Sequence, residues 1–240
     1  MKIMSSESKH TTGQVWVIPI AASYVCIAVL CITSIVWVRS EWKVQIKNTL
    51  LAVASSAASQ IDAELIDAIH DRSDMHTSAF QELVRRLEAI RETKGISIRY
   101  VYILRQTDDP MMLQFVADAD SLRSTAELDV NNNGEVDMTE EASYPGDTYD
   151  ITENPALQLY AFHQPITDED FTIDQWGRLL SGYAPIYRSN GEVAAVLGID
   201  IESEVFRAQL ERALPPTLLI IIVSAGLMLF CISSYSIIRR

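Results

Sequence analysis

"GRLLSGYAPIYRSNGEVAAVLGIDI", residues 177–201, is the stretch from which the rest of the chain is read. Two apolar runs, 177–187 and 192–201, flank the turn signal Arg188-Ser189-Asn190-Gly191, and that pattern predicts a β-hairpin. The hairpin runs directly into "ESEVFRAQLERAL" (202–214), which reads as a helix. Upstream, "ISIRYVYIL" (96–104) has the β-branched and aromatic composition of a strand, and "MLQFVADAD" (112–120) follows it across "RQTDDP". A second hairpin is therefore expected there.

Helices precede the hairpins. Phe80, Leu83, Leu87 and Ile90 recur at helical spacing behind a cap at Thr77 or Ser78, and Gly95 closes the segment. Residues 41–70 carry Leu50, Leu51, Val53, Ala54, Ala57, Ala58, Ile61, Ile66 and Ile69 at the same spacing with no Pro or Gly, which predicts one long rod. A short helix is expected around 154–162. The order is long helix, helix, hairpin, irregular insert, hairpin, helix. Strands packed on helices that gather on one side make an α+β domain with an antiparallel sheet.

The insert holds the sharpest motif. In "DVNNNGEVDMTE" (129–140) the first, third, fifth, seventh, ninth and twelfth places are Asp129, Asn131, Asn133, Glu135, Asp137 and Glu140, with Gly134 at the sixth and Val136 at the eighth. These are the oxygen-ligand places of an EF-hand-type calcium loop, with glycine where the chain turns sharply. Glu135 would act through its carbonyl, Asp137 through a water, and Glu140 as the closing bidentate carboxylate. The bland alternative is an acidic surface turn that binds nothing. Pro145-Gly146 cuts off any exit helix, and no second loop of this spacing occurs, so the motif reads as a structural Ca2+ clip rather than half of a sensor pair.

Both ends of the chain are apolar. No charge occurs between Thr11 and Val38 or between Ala213 and Ile238, and the runs 15–38 and 217–238 are each long enough to cross a bilayer of about 30 Å. A cleaved signal peptide is the alternative for the first run. The run is longer than a signal core, ends in Val-Trp-Val-Arg, and carries Trp16 and Trp37 near its ends as interfacial anchors would. The expected layout is a cytoplasmic tail (1–14), a transmembrane helix (15–38), an extracytoplasmic domain (39–213), a second transmembrane helix (214–238) and a cytoplasmic end (239–240). Arg239-Arg240 favours the cytoplasm for both termini, which makes this a multi-pass protein of the plasma (inner) membrane. Cys26, Cys31 and Cys231 all fall in the spans, so no disulfide is expected in the domain between them.

Charge narrows the function classes. The 240 residues carry 19 Lys and Arg against 32 Asp and Glu, a net charge of -13, which gives nucleic acid no electrostatic footprint. His10, His70, His76 and His163 lack metalloprotease spacing, Ser181-Gly182 lacks a nucleophile elbow, and no Gly-rich phosphate loop occurs. The residues point away from an enzyme. Two spans with no intramembrane charge leave no evident transport pathway.

The segments 58–104, 115–120 and 179–202, set between two spans, resemble the extracytoplasmic Cache (PAS-like) sensor domain of bacterial transmembrane receptors. The likeness covers roughly residues 40–213, and the "YVYIL" and "GYAPI…VAAVLGIDI" pieces are its more specific parts. It implies a small-molecule ligand on the concave face of the sheet, a homodimer, and a cytoplasmic output of histidine kinase, cyclase or chemoreceptor type. Since the sequence runs only to Arg240, the output is expected either in a longer receptor or in a membrane partner protein. Tyr100 and Tyr102, Asp118 and Asp120, and Tyr183 and Asp200 are the candidate ligand-binding residues, each pair placed on one strand face or one hairpin. The competing reading is that the tyrosines fill core and the aspartates cap turns. A calcium-dependent structural or adhesion protein of the membrane is the alternative function.

Overall fold

Alternation along three strands sets the two faces of the sheet. In β1 (Tyr100–Gln106) Tyr100, Tyr102 and Leu104 face one apolar cluster, and Val101 and Ile103 face another. The same division runs through β6 (Gly177–Tyr187), where Leu179 and Tyr183 oppose Leu180, Ala184 and Ile186. In β7 (Val193–Glu202), Val196 opposes Ala195, Leu197, Ile199 and Ile201. The hairpins join through β1 and β7, so two strands far apart in sequence form the middle of the sheet.

The computed structural model describes residues 14–204, 207–208, 219–227 and 229–230, in two compact units, Val44–Ala208 and the two chain ends. In the former, an antiparallel sheet has the order β3-β2-β1-β7-β6-β4, with β5 also paired to β6. Here β2 is Met112–Asp118, β3 Thr148–Asp150, β4 Ile166–Thr167 and β5 Thr172–Asp174. The expected α+β class with a long N-terminal helix and an antiparallel sheet is what the chain adopts.

One sheet face is covered by helices. The end of α1 (Gln14–Ala58) contributes Leu50, Ala54, Ala57 and Ala58, α2 (Ala63–Asp67) contributes Ile66, and α3 (Ser78–Arg91) contributes Phe80, Leu83, Val84 and Leu87. A Cβ added at Gly182 would lie 2.6 Å from Leu50 Cγ, so the glycine is what lets α1 sit against β6. Thr77 caps α3, its Oγ1 accepting from Phe80 N at 3.3 Å. The rod expected over 41–70 is interrupted: α1 ends at Ala58, and Asp62 caps α2 by accepting from Glu64 N. Burial of Ile61, Ile66 and Ile69 in the same cluster is achieved by this bend rather than by a straight helix.

The expected first strand begins at Tyr100 rather than at residue 96. The short helix expected around 154–162 is α5 (Pro155–Leu159), and the rest of the insert is more ordered than expected, containing α4 (Thr125–Leu128), β3, β4 and β5. Val25–Ala58 is long and apolar enough to cross a membrane. Of the second expected span, 214–238, residues 219–227 and 229–230 are helical, and the remainder lies outside the described residues, as do residues 1–13 of the expected cytoplasmic tail and the expected cytoplasmic end, 239–240.

Candidate functional site

On the face away from α1 to α3, β1, β2 and β7 bring Tyr100, Tyr102, Asp118 and Asp200 around one recess. Tyr100 stands opposite Asp200 across the β1–β7 pair, and Tyr102 stands opposite Asp118 across β1–β2. Tyr102 lies over Gly198, where an added Cβ would come within 2.3 Å of its ring, so the absence of a side chain in β7 makes room for the tyrosine. The free core of the recess, about 20 Å³, is the space in which the centre of a water molecule can move.

A bulge in β2 brings Phe115 and Asp118 to the same side. The β1–β2 register shifts between Ile103 and Leu104, pairing Ala117 with Ile103 but Phe115 with Leu104. The extra residue, Val116, joins Ala117 in the helix-side cluster. Strict alternation would put Phe115 and Asp118 on opposite faces; the inserted residue removes that conflict.

Aromatic rings form the walls. Phe115 meets Tyr102 edge-on with ring centres 5.7 Å apart and Trp176 at 6.0 Å, while Tyr149 meets Trp176 at 5.8 Å. Asp174, at the end of β5, accepts from the Tyr149 hydroxyl at 3.2 Å and from Trp176 N at 2.9 Å. The segment after the 129–140 loop forms one side: Tyr100 donates to Thr139 O, Trp176 Nε1 donates to Glu141 O at 3.0 Å, and Ser143 N donates to Asp118 Oδ2 at 3.0 Å.

The carboxylates sit in a medium that disfavours their charge. Burial, reinforced by neighbouring Asp120, pushes Asp118 up to about 7. Burial likewise holds Asp200 well above the carboxylate range against hydrogen bonds from Ser181 and Tyr102, the latter at 3.2 Å. Burial raises Asp174 as well. Tyr102 is buried and its phenol is shifted upward by burial and by the nearby Asp200 charge, so it acts as a neutral donor.

Two of the six expected ligand residues lie elsewhere. Asp120 follows the end of β2 and is ion-paired with Arg91 of α3 and with Arg123, the latter at 3.2 Å. Tyr183 is 1 % exposed within the apolar cluster, and its hydroxyl accepts from Asn154 Nδ2 at 2.8 Å. A second, wider hollow of about 280 Å³ lies between the β1–β2 turn and α5, including Gln106, Asp108, Gln158 and His163. It has none of the first recess's buried carboxylates.

No protein-family model and no curated protein matches the chain. Among solved structures it is similar to the ligand-binding domain of a Campylobacter jejuni chemoreceptor in complex with 4-methylisoleucine, at 14% identity and a TM-score of 0.42, over 77% of this chain and 62% of that one. The chain thus spans less than two thirds of that domain. The L-valine complex of the same domain is similar at 18% identity and a TM-score of 0.34, over 74% and 65% of the two chains. A GAF domain of A. aeolicus in an inactive state is similar at 9% identity and a TM-score of 0.29, over 72% and 89%.

Phe115, Ser143, Tyr149, Asp174 and Trp176 complete the recess and were not among the expected ligand residues. Four of them come from segments that read as insert or as approach to the second hairpin, and their convergence depends on β3 and β5 pairing at the sheet edges. The only signal in the sequence was the density of aromatic and acidic residues there.

The 129–140 loop is drawn in on itself. Asp129 accepts from Asn133 N at 3.0 Å and Gly134 N at 2.8 Å, Asn131 from Asn133 N at 2.9 Å, and Asn133 from Glu135 N at 2.8 Å. Buried Glu140 reaches back to accept from Asn131 N at 2.9 Å, and Asp137 accepts from Thr139 N at 2.8 Å. Gly134 takes the left-handed φ of 92° that the sixth position demands, and Val136 is half-buried. Among the described residues, no three His, Cys, Asp or Glu side chains are gathered closely enough to form a metal cluster.

Proposed function

We propose that this chain is the extracytoplasmic sensory input module of a bacterial signal-transduction receptor, which takes a small ligand in the recess between β1, β2 and β7. The observation that carries this reading is the recess itself, where buried carboxylates and an aromatic wall converge on one sheet face while helices cover the other. A polar constellation enclosed by rings suits recognition of a small molecule more than packing alone. The likeness of the sequence to Cache sensors, and an N-terminal helix apolar enough to cross a membrane, support a receptor placed in the bilayer. Binding, rather than turnover, is the role assigned to the recess. A homodimer and a cytoplasmic output partner complete the proposal.

The test is thermal unfolding of the full chain in lipid nanodiscs against a broad library of small metabolites. A ligand that binds only the folded state at 100 times its Kd stabilises it by about 2.7 kcal/mol, enough to shift the midpoint. Trp176→Ala is expected to abolish the shift. A library in which no compound moves the midpoint overturns the reading.

The 129–140 loop is read as a Ca2+ clip whose side-chain ligands are Asp129, Asn131, Asn133, Asp137 and Glu140, with Glu135 through its carbonyl. Its support is the donor set, the turn at Gly134 and the reach of Glu140 back across the loop. Millimolar calcium is expected to raise the midpoint of the full chain, and Glu140→Gln and Asp129→Asn are each expected to abolish that rise. An unmutated chain indifferent to calcium removes the clip from the proposal and leaves the recess untouched.

A further inference from the structure

The tetrapeptide Asn-Gly-Glu-Val occurs twice, at 133–136 in the insert loop and at 190–193 in the turn that leads into β7. The fold treats the two copies differently. We infer that Asn133 is a site of self-modification, at which the side-chain amide is lost as ammonia through attack by the backbone nitrogen of Gly134, with Asp129 as the base. Asn190 does not share this chemistry. Neither the sensor reading nor the Ca2+ clip is needed for it.

The electrophile is prepared alike in both copies. Asn133 Oδ1 accepts from Glu135 N at 2.8 Å, and Asn190 Oδ1 accepts from Glu192 N at 3.0 Å. A donor in that place steadies the negative charge that gathers on the oxygen when the carbonyl carbon is attacked. The glycines match as well, with φ of 92° at Gly134 and 88° at Gly191 and open space where a Cβ would stand. Ring closure within one chain also avoids the entropy cost of bringing two reactants together.

The copies part at the nucleophile. Gly134 N donates to Asp129 Oδ2 at 2.8 Å, whereas Gly191 N donates to the carbonyl oxygen of Arg188 at 2.9 Å. A carboxylate can take the proton that an amide nitrogen must lose as it attacks, and a peptide carbonyl is no such base. The 190–193 copy is also locked. Asn190 Nδ2, the leaving nitrogen there, donates to Glu192 Oε2 at 2.9 Å, and Arg188 N closes the turn by donating to Glu192 O at 2.7 Å.

In the reaction, Gly134 N bonds to Asn133 Cγ and its proton passes to Asp129 Oδ2. The Cγ–Nδ2 bond then breaks, and Nδ2 leaves as ammonia with that proton, so a five-membered imide remains and Asp129 is restored. Water opens the imide at either carbonyl. The product is aspartate or isoaspartate at position 133. The first puts a carboxylate where the loop had a neutral oxygen, and the second lengthens the main chain by one carbon before Gly134, so the loop is altered for the rest of the protein's life.

The experiment incubates the full chain in lipid nanodiscs at neutral pH with a chelator present, and follows both Asn-Gly pairs by peptide mass spectrometry, with isoaspartate resolved by chromatography. In the folded chain, Asn133 is expected to convert ten-fold or more faster than Asn190. In urea the shared tetrapeptide is expected to bring the two rates together, since the fold alone separates them. Asp129→Asn keeps the shape of the side chain and removes the base. It is expected to slow Asn133 ten-fold or more, with an unchanged rate at Asn190 reporting an intact fold. Equal rates in the folded chain, a difference that persists in urea, or a normal Asn133 rate in Asp129→Asn would each overturn the inference.

Discussion

Asp200 shows how burial sets the protonation of a residue in the recess. Its carboxyl is 3 % exposed and accepts from two hydroxyls, Tyr102 and Ser181, which can rotate to suit either an acid or an amide. Together with Asp118, pushed up to about 7, and Asp168, raised by burial to about 6, it takes up protons at a higher pH when folded than when unfolded. Stability rises with falling pH wherever the native state binds more protons. The melting temperature is therefore expected to climb as the pH drops from 8 to 5, and Asp200→Asn to flatten part of that slope; a flat or opposite trend in the unmutated chain would refute it. Below about pH 4 the sign reverses, because Asp67, Asp71, Asp137 and Asp150 are held below the ordinary range by hydrogen bonds. Arg91 offers a second test at this scale. Removing it leaves Asp120 buried with Arg123 alone, and Arg91→Ala is expected to cost about 3 kcal/mol in urea unfolding. Residue types marked Asp118 and Asp120 equally as candidates; their separate fates follow from the turn after β2, which sends Asp120 towards α3.

At the scale of elements, glycines decide what can touch. Gly198 leaves space for the Tyr102 ring and Gly182 for Leu50 of α1. Gly198→Ala and Gly182→Ala are each expected to destabilise the fold by about 1–3 kcal/mol through overpacking. Only Gly198→Ala is expected to weaken ligand binding as well, because the clash there displaces a recess residue; equal binding by the two variants would contradict the placement of Tyr102. The hairpins were legible because each consists of apolar runs bounded by turn residues, and β6 occupies the expected 177–187. The bulge at Val116 was not, since strict alternation is all that a periodic pattern encodes. Nor were β3, β4 and β5, which are two or three residues long and acquire strand geometry from the neighbours they pair with.

For the molecule as a whole, stability should be graded from the middle of the sheet outward. In the unit Val44–Ala208, β1 and β7 are each paired on both edges, while β4 and β5 contribute only short ladders to β6. Amide hydrogen exchange of the full chain is expected to be slowest at Val101–Leu104 and Val196–Ile199 and faster by orders of magnitude at Ile166–Thr167 and Thr172–Asp174. Uniform protection across the sheet would count against this order. The sequence by itself determined the α+β class, the two central hairpins, the helices that cover one face and the apolar N-terminal helix, because each of these is encoded in local periodicity and turn chemistry. Tertiary structure alone decided the recess. Phe115, Ser143, Tyr149, Asp174 and Trp176 meet Tyr100, Tyr102, Asp118 and Asp200 only after a bulge shifts one strand and edge pairing folds back the insert, and contacts between distant residues have no local period to announce them.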